Sequence, residues 1–214
     1  MINEDVRINC QSSIRIEKDN KIIYIDPYKI EKEMEDADFL FITHDHYDHF
    51  SKDDILKVIN EDTVIVIPES CSSKIEVLLL NNKIIYVKPN NKYEINNLKF
   101  ETVAAYNTDK LYHQNISEWV GYVIELSLKR YFITGDTDIN LENKKVKCDY
   151  LFVPVGGEYT MDYKEAATLA NLIKPKLAIP THYATIVGSN IDAIKFQELL
   201  DNDIKCDILY KEDI

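Results

Sequence analysis

The chain has 214 residues, of which 45 % are hydrophobic, and a formal net charge of −12 at pH 7. That length and apolar content suit one domain with a sizeable core and exclude general disorder, while the acidic balance makes nucleic acid and anionic membranes unexpected partners. Cys10, Cys71, Cys148 and Cys206 show no Cys-x-x-Cys spacing, residues 1–5 lack the parts of a signal peptide, and no apolar run approaches the ~20 residues of a membrane span, so a soluble cytoplasmic chain with reduced thiols is expected.

Residues 6–8, 13–17 and 21–25 read as strands, with Lys18-Asp19-Asn20 as a hairpin turn between the second and third. The third runs into Ile25-Asp26-Pro27, where Asp26 either makes an Asx turn or holds a ligand histidine by its ring N–H. The apolar run Phe39-Leu40-Phe41-Ile42 reads as a short buried strand, and Thr43-His44-Asp45-His46-Tyr47-Asp48-His49 follows it directly. If the backbone stays extended, side-chain alternation points His44 and His46 the same way, with Asp48 and His49 at the turn beyond. Imidazole nitrogens and carboxylate oxygens converging on one spot suit Zn²⁺ or a similar divalent ion, and so many ligands could serve two ions. The alternative is a polar loop with chance histidines.

A helix is expected over 52–60, capped by Ser51, with Ile55, Leu56 and Ile59 on one face. Strands at 64–67 and 84–87 flank a further helix expected over 70–80. Further strands follow at 98–104, 120–126, 131–134, 150–153 and 177–179. The helix expected over 162–173 has Asp162 and Glu165 in capping-box positions, and a last helix is expected over 191–200. Gly135, Gly156 and Gly157 fall just after apolar runs, and a glycine before Asp136 lets the backbone turn so that the carboxylate points inward. No linker or short repeat divides the chain, so a single domain over 1–214 is expected. Strand clusters interleaved with helices give a layered α/β class.

The pattern His44-x-His46-x-Asp48-His49 resembles the signature of the metallo-β-lactamase superfamily. Ile25-Asp26-Pro27, Thr134-Gly135-Asp136-Thr137 and Pro180-Thr181-His182-Tyr183 match its later and earlier strand-end motifs in the family's order, over nearly the whole chain. Ala105-Tyr106-Asn107, Trp119-Val120-Gly121-Tyr122 and the stretch from Pro154 to Asp162 resemble a subgroup of small single-domain members called UlaG-like, after an ascorbate-6-phosphate lactonase.

The resemblance implies an αββα four-layer sandwich of two mixed sheets flanked by helices. It implies two divalent metal ions, zinc or manganese, with His44, His46 and a third histidine on the first, Asp48, His49 and His182 on the second, and Asp136 bridging both. Asp48 and Asp136 are then the catalytic carboxylates, since a dinuclear centre holds a hydroxide at neutral pH and polarises a carbonyl or phosphoryl oxygen. The third histidine departs from the pattern of many relatives, because Asn107 stands near its usual place. His113, six residues on and before the Trp-Val-Gly-Tyr motif, is the expected replacement, with Asn107 as a hydrogen-bonding neighbour. Tyr159 and Thr160 are candidates for the pocket wall, with weaker claims for Asp138, Glu158 and Tyr183.

The implied activity is hydrolysis of a small-molecule lactone, ester or phosphodiester. The alternative is a nuclease or phosphodiesterase acting on nucleic acid, which the acidic charge and the lack of room for extra binding arms disfavour. An oxygen- or NO-reducing diiron protein would typically carry glutamate where His46 stands and add a flavin domain. A non-catalytic binding protein of the same fold would show lost ligands. No membrane or nucleic-acid partner is expected, and a homo-oligomer is compatible with the sequence.

Overall fold

The computed structural model describes residues 5–210; residues 1–4, read above for a targeting signal, lie outside them, as do 211–214. Val6–Ile8 (β1), Ile14–Lys18 (β2) and Lys21–Ile25 (β3) pair antiparallel, and β3 then runs parallel to Ala37–Phe41 (β4), Ile59–Pro68 (β5) and Lys83–Val87 (β6). The turn between β2 and β3 has Asp19 and Asn20 both at positive φ (55° and 56°), the pairing that a two-residue hairpin matched to strand twist requires. A second sheet repeats the plan. Lys92–Ile95 (β7), Leu98–Ala104 (β8), Val120–Leu126 (β9) and Lys129–Ile133 (β10) are antiparallel. Tyr150–Pro154 (β11), Leu177–Thr181 (β12) and Lys205–Cys206 (β13) continue parallel to β10.

Three apolar clusters make four layers. Ile14, Ile16, Phe41, Phe100, Tyr122 and Ile179 lie between the two sheets. Ile55, Val58, Ile65 and Ile75 pack the first sheet against helices Lys52–Val58 (α1) and Ser72–Glu76 (α2). Leu151, Val153, Leu169 and Phe196 pack the second sheet against Tyr163–Ile173 (α3) and Asn190–Glu198 (α4). The central strands, such as β4, β9, β11 and β12, bury both faces, one on the opposite sheet and one on the helices. The αββα sandwich is therefore the observed fold.

The local differences from expectation have identifiable causes. α1 ends at Val58 rather than residue 60, because Ile59 already pairs with Ala37 and Asn60 sends its amide to the Glu35 carbonyl (2.9 Å). Ser51 does not cap α1 by its side chain. Its hydroxyl donates to Asp54 (2.6 Å), whose carboxylate also accepts the Lys29 and Ile30 N–H groups at 2.9 Å and so ties α1 to the loop after β3. The segment 70–80 forms only a 3₁₀ turn and the five-residue α2. β7, an edge strand with no fully buried residue, and the two-residue β13 were not foreseen. The Asp162–Glu165 capping box of α3 is present as expected, with Asp162 accepting from the Lys164 and Glu165 N–H groups.

β3 and β4 run parallel, and so do β8, β10 and β12 by way of their neighbours. The residues that follow these five strands meet at one rim. Two links pin the end of β4 there: the Tyr122 hydroxyl donates to the Ile42 carbonyl (2.7 Å) and the Val120 N–H to the Thr43 carbonyl (3.2 Å).

Candidate metal centre

All five histidines of the chain lie in one cluster at this rim, together with Asp48 and Asp136. His44, His46, Asp48 and His49 follow β4, His113 follows β8, Asp136 follows β10 and His182 follows β12. The structure thus brings together every residue expected from the sequence to bind metal. Their donor atoms form three overlapping groups: His44, His46 and His113; His44, His49 and Asp136; and Asp48, His49 and His182.

Asp136 is the centre of the arrangement. Its Oδ2 lies 3.1 Å from His182 Nε2, 3.3 Å from both His49 Nε2 and His113 Nε2, and 3.8 Å from His44 Nε2. Among the described residues, His49 Nε2, His113 Nε2 and Asp136 Oδ1 are buried with no hydrogen-bond partner. Buried polar atoms left unpaired and aimed at one point are costly unless something occupies that point. Five imidazoles and two carboxylates are the donor set of a zinc-like divalent ion, so the residues present fit metal.

The surroundings fix each ring. Asp26, fully buried, accepts from the Thr43 N–H (2.8 Å), the Thr43 hydroxyl (2.6 Å) and His49 Nδ1 (2.7 Å). Of the two readings of Asp26, the observed contact is thus the one to a histidine, and it leaves His49 Nε2 free to face Asp136. His113 Nδ1 donates to the Tyr159 carbonyl (3.1 Å), which turns its Nε2 inward. Asn107 holds the same loop: its side-chain amide donates to the Tyr112 and Tyr159 carbonyls (2.9 and 2.7 Å), and its N–H to the His113 carbonyl (2.7 Å).

Two contributors were not foreseen. Gln11, buried in the β1–β2 loop, donates from its side-chain amide to Asp48 (3.4 Å) and accepts the His182 N–H on its backbone carbonyl (3.0 Å). The Trp119 ring packs within 4.8 Å of the His44 and His46 rings and 5.5 Å of His113, between centroids. Trp119 was legible only as part of a motif, and Gln11 carries no local signal. Gln11, Asp26, His113 and His182 all have positive φ (50°, 47°, 57° and 55°), a conformation that costs non-glycine residues about 1–3 kcal/mol each and gathers at functional sites. Gly135 has φ +65°, and a Cβ on Gly156 would lie 2.3 Å from the His182 carbonyl, so a side chain there would displace the His182 backbone.

Of the pocket-wall candidates, Tyr159 lines the cavity beside the cluster and Thr160 does not. Thr160 is buried, with its hydroxyl turned to the Met161 carbonyl (3.4 Å). Asp138 is engaged by the Thr108 N–H (2.9 Å) and Lys110. Tyr183 packs in the core between the second sheet and its helices, and Glu158 is not part of the cavity lining.

Charge in the metal-free cluster is unevenly shared. Burial alone would raise the Asp136 carboxyl, but the positive charges of His182 and His49 hold it well below the usual range. Burial likewise works against charge on His182, yet Asp136 and Asp48 raise it to about 9, and Asp136 and Asp26 raise His49 well above its ordinary value. Burial and neighbouring histidines push His44 and His46 down, so these two rings are neutral at pH 7.

His113→Ala is expected to weaken metal binding roughly ten-fold or more, and Asn107→Ala to have a smaller effect, because His113 presents an unpaired ring nitrogen to Asp136 whereas the Asn107 amide is turned to loop carbonyls. Calorimetric titration of stripped protein measures both. Unchanged affinity in His113→Ala would remove it from the ligand set.

A family model described as the beta-lactamase superfamily domain matches residues 7–182. A UPF0173 protein of Pyrococcus abyssi is 30 % identical over 177 residues, covering 81 % of this chain and 80 % of that one. A UPF0173 metal-dependent hydrolase of Staphylococcus aureus is 30 % identical over 211 residues, covering 89 % and 90 %. Among solved structures, a protein of Parabacteroides distasonis assigned as a metal-dependent hydrolase aligns with TM-score 0.80 and 29 % identity, covering 94 % of this chain and 90 % of that one. The metallo hydrolase Igni18 of Ignicoccus hospitalis shares the fold at TM-score 0.76 and 19 % identity, covering 95 % and 93 %.

Proposed function

Because this chain belongs to the beta-lactamase superfamily, among its metal-dependent hydrolases, we propose that it uses two divalent ions, zinc or manganese, to hydrolyse a small-molecule lactone, ester or phosphodiester. The observation that carries this reading is Asp136 Oδ2 within 3.1–3.8 Å of four imidazole nitrogens, beside a cavity of about 260 Å³. His44, His46 and His113 would hold one ion, Asp48, His49 and His182 the other, and Asp136 both. When bound, such a pair lowers the pKa of water and polarises a carbonyl or phosphoryl oxygen.

The chain's own residues supply orientation. Burial alone would raise Asp48, but the His182 hydrogen bond and the His49 charge bring it to about 2, so it is a carboxylate at any working pH. It faces the cavity and takes one N–H from Gln11, which leaves acceptor capacity for the proton of an attacking water. Asp26 and the Tyr159 carbonyl hold His49 and His113 in fixed tautomers. Trp119 covers one side of the His44–His46 pair and keeps bulk water from it.

Ala105-Tyr106-Asn107, Trp119-Val120-Gly121-Tyr122 and the double glycine support placement in the small lactonase-like subgroup. The four cysteines are unpaired and no helix of the described residues is long and apolar enough to cross a membrane, which fits a cytoplasmic setting. The test is a screen of lactones, esters, thioesters and phosphodiesters with metal-loaded and stripped protein. Turnover of one class only by the loaded form supports the reading; no metal-dependent turnover of any class contradicts it.

Nucleic acid is not expected to be a substrate. The chain is strongly acidic, and no Lys or Arg is among the residues lining the cavity. Neither tRNA nor duplex DNA should be bound or cut at physiological salt in a gel-shift and cleavage assay. Cleavage by substoichiometric protein, lost in Asp136→Asn, would establish the nuclease reading instead.

A further inference from the structure

The cavity beside the histidine cluster has two kinds of wall. His46, Asp48, His113, Asp136 and His182 form the side that would carry metal. The other side is Tyr47, Tyr112, Tyr159 and Ile186. The tyrosines are set in place by aromatic partners: Tyr112 meets Tyr159 edge-on at 5.0 Å, and Tyr47 meets Tyr28 edge-on at 6.1 Å. Tyr47, Tyr112 and Ile186 are 64 %, 54 % and 37 % exposed and leave large apolar side chains open at this mouth of the rim. Such faces gain by covering apolar or aromatic groups.

No Lys or Arg stands among them. The lysines of the surrounding loops are otherwise engaged. Lys110 pairs with Asp138 and with Glu165 (3.6 Å), Lys74 approaches Asp45 (4.0 Å), and Lys29 lies over the outer Tyr28 ring at 5.6 Å. A charged group on the substrate, away from the bond being cut, would lose water here and find no cationic side chain, only the neutral hydroxyls of the tyrosines.

We propose that the substrate carries an uncharged apolar or aromatic group beside its scissile bond, packed against Tyr47, Tyr112, Tyr159 and Ile186, and no second anionic group such as a remote phosphate. This rests on the hydrolytic reading for the bond broken, but the binding preference is separable from turnover. It sets this chain apart from lactonases of phosphorylated sugars, whose remote phosphate would need a cation.

The test uses metal-loaded protein and a matched pair of esters, 4-nitrophenyl hexanoate and 4-nitrophenyl 6-sulfohexanoate, with the two corresponding 4-nitroanilides as uncleaved analogues. The terminal sulfonate adds charge while being a poor metal ligand. The neutral anilide should bind at least ten-fold more tightly by calorimetry, a difference of about 1.4 kcal/mol, and the neutral ester should lead by a similar factor in kcat/KM. Tyr112→Arg should narrow or reverse that preference, and Tyr112→Phe should keep it. If the anilides show the preference while neither ester is cleaved, the inference stands and ester hydrolysis fails. Equal or tighter binding of the sulfonate, or no binding of either anilide, overturns the inference whether or not the esters are cleaved.

Discussion

Asp136→Asn should reduce turnover roughly 100-fold or more in a protein that still folds. The asparagine keeps the shape but loses the charge that four imidazoles surround, and its amide N–H₂ would point a donor at rings that need an acceptor. Without that charge, His49 and His182 lose the strongest partner holding their protons, and a bound cation loses a ligand shared by both halves of the cluster. His46→Ala should cost a comparable factor by a different route, since it removes one of three imidazoles at the half-buried side of the site. Circular dichroism and turnover on the same preparations separate loss of chemistry from loss of fold. Near-wild-type turnover in either variant would place the active centre elsewhere.

Stripping the metal should lower thermal stability strongly, and the effect should depend on pH. A ligand present at a thousand times its Kd stabilises the folded state by about 4 kcal/mol. For a chain of this length that corresponds to a Tm change of roughly 8–16 °C. The pH sign follows from His182. Its folded pKa, about 9, stands above the ~6.5 of an unfolded histidine, so its contribution to the metal-free protein is fully present below about pH 6.5 and is lost as pH rises through about 9. Metal must displace that proton, and the one on His49, so affinity rises over the same window. The gap in Tm between loaded and stripped protein should therefore widen from pH 6.5 to 9, with proton release on binding at pH 7. Scanning calorimetry at several pH values, with titrations in buffers of different ionisation enthalpy, measures both. A gap that narrows with rising pH would mean that His182 and His49 are not displaced by metal.

Most of the fold was readable because its central strands bury both faces and so appear as unbroken apolar runs such as Phe39-Leu40-Phe41-Ile42. Pattern gave only a layered α/β class; the four-layer sandwich came from the resemblance of the metal motifs. β7 escaped because its residues are exposed or half-buried at a sheet edge, and α2 was overestimated because apolar Val77 and Leu79, which extend the helical pattern, lie 70 % and 87 % exposed beyond its end. At the site, His44, His46, Asp48 and His49 were legible as a run following a strand. His113 was legible through the resemblance, which implies a histidine before the Trp-Val-Gly-Tyr motif, with the stronger donor chemistry of imidazole over an amide in its favour. Gln11 was not, because its place beside Asp48 and His182 is created by three loops meeting at the rim, and nothing local to Cys10-Gln11-Ser12 marks it.

The central claim is that these seven side chains hold a pair of divalent ions. Its most direct measurement is the metal content of protein stripped, reconstituted with zinc or manganese and freed of excess, determined by elemental analysis beside the same preparation of Asp136→Asn. Close to two ions per chain, falling in the variant, is the result predicted; less than half an ion per chain, or a content that Asp136→Asn leaves unchanged, would contradict it.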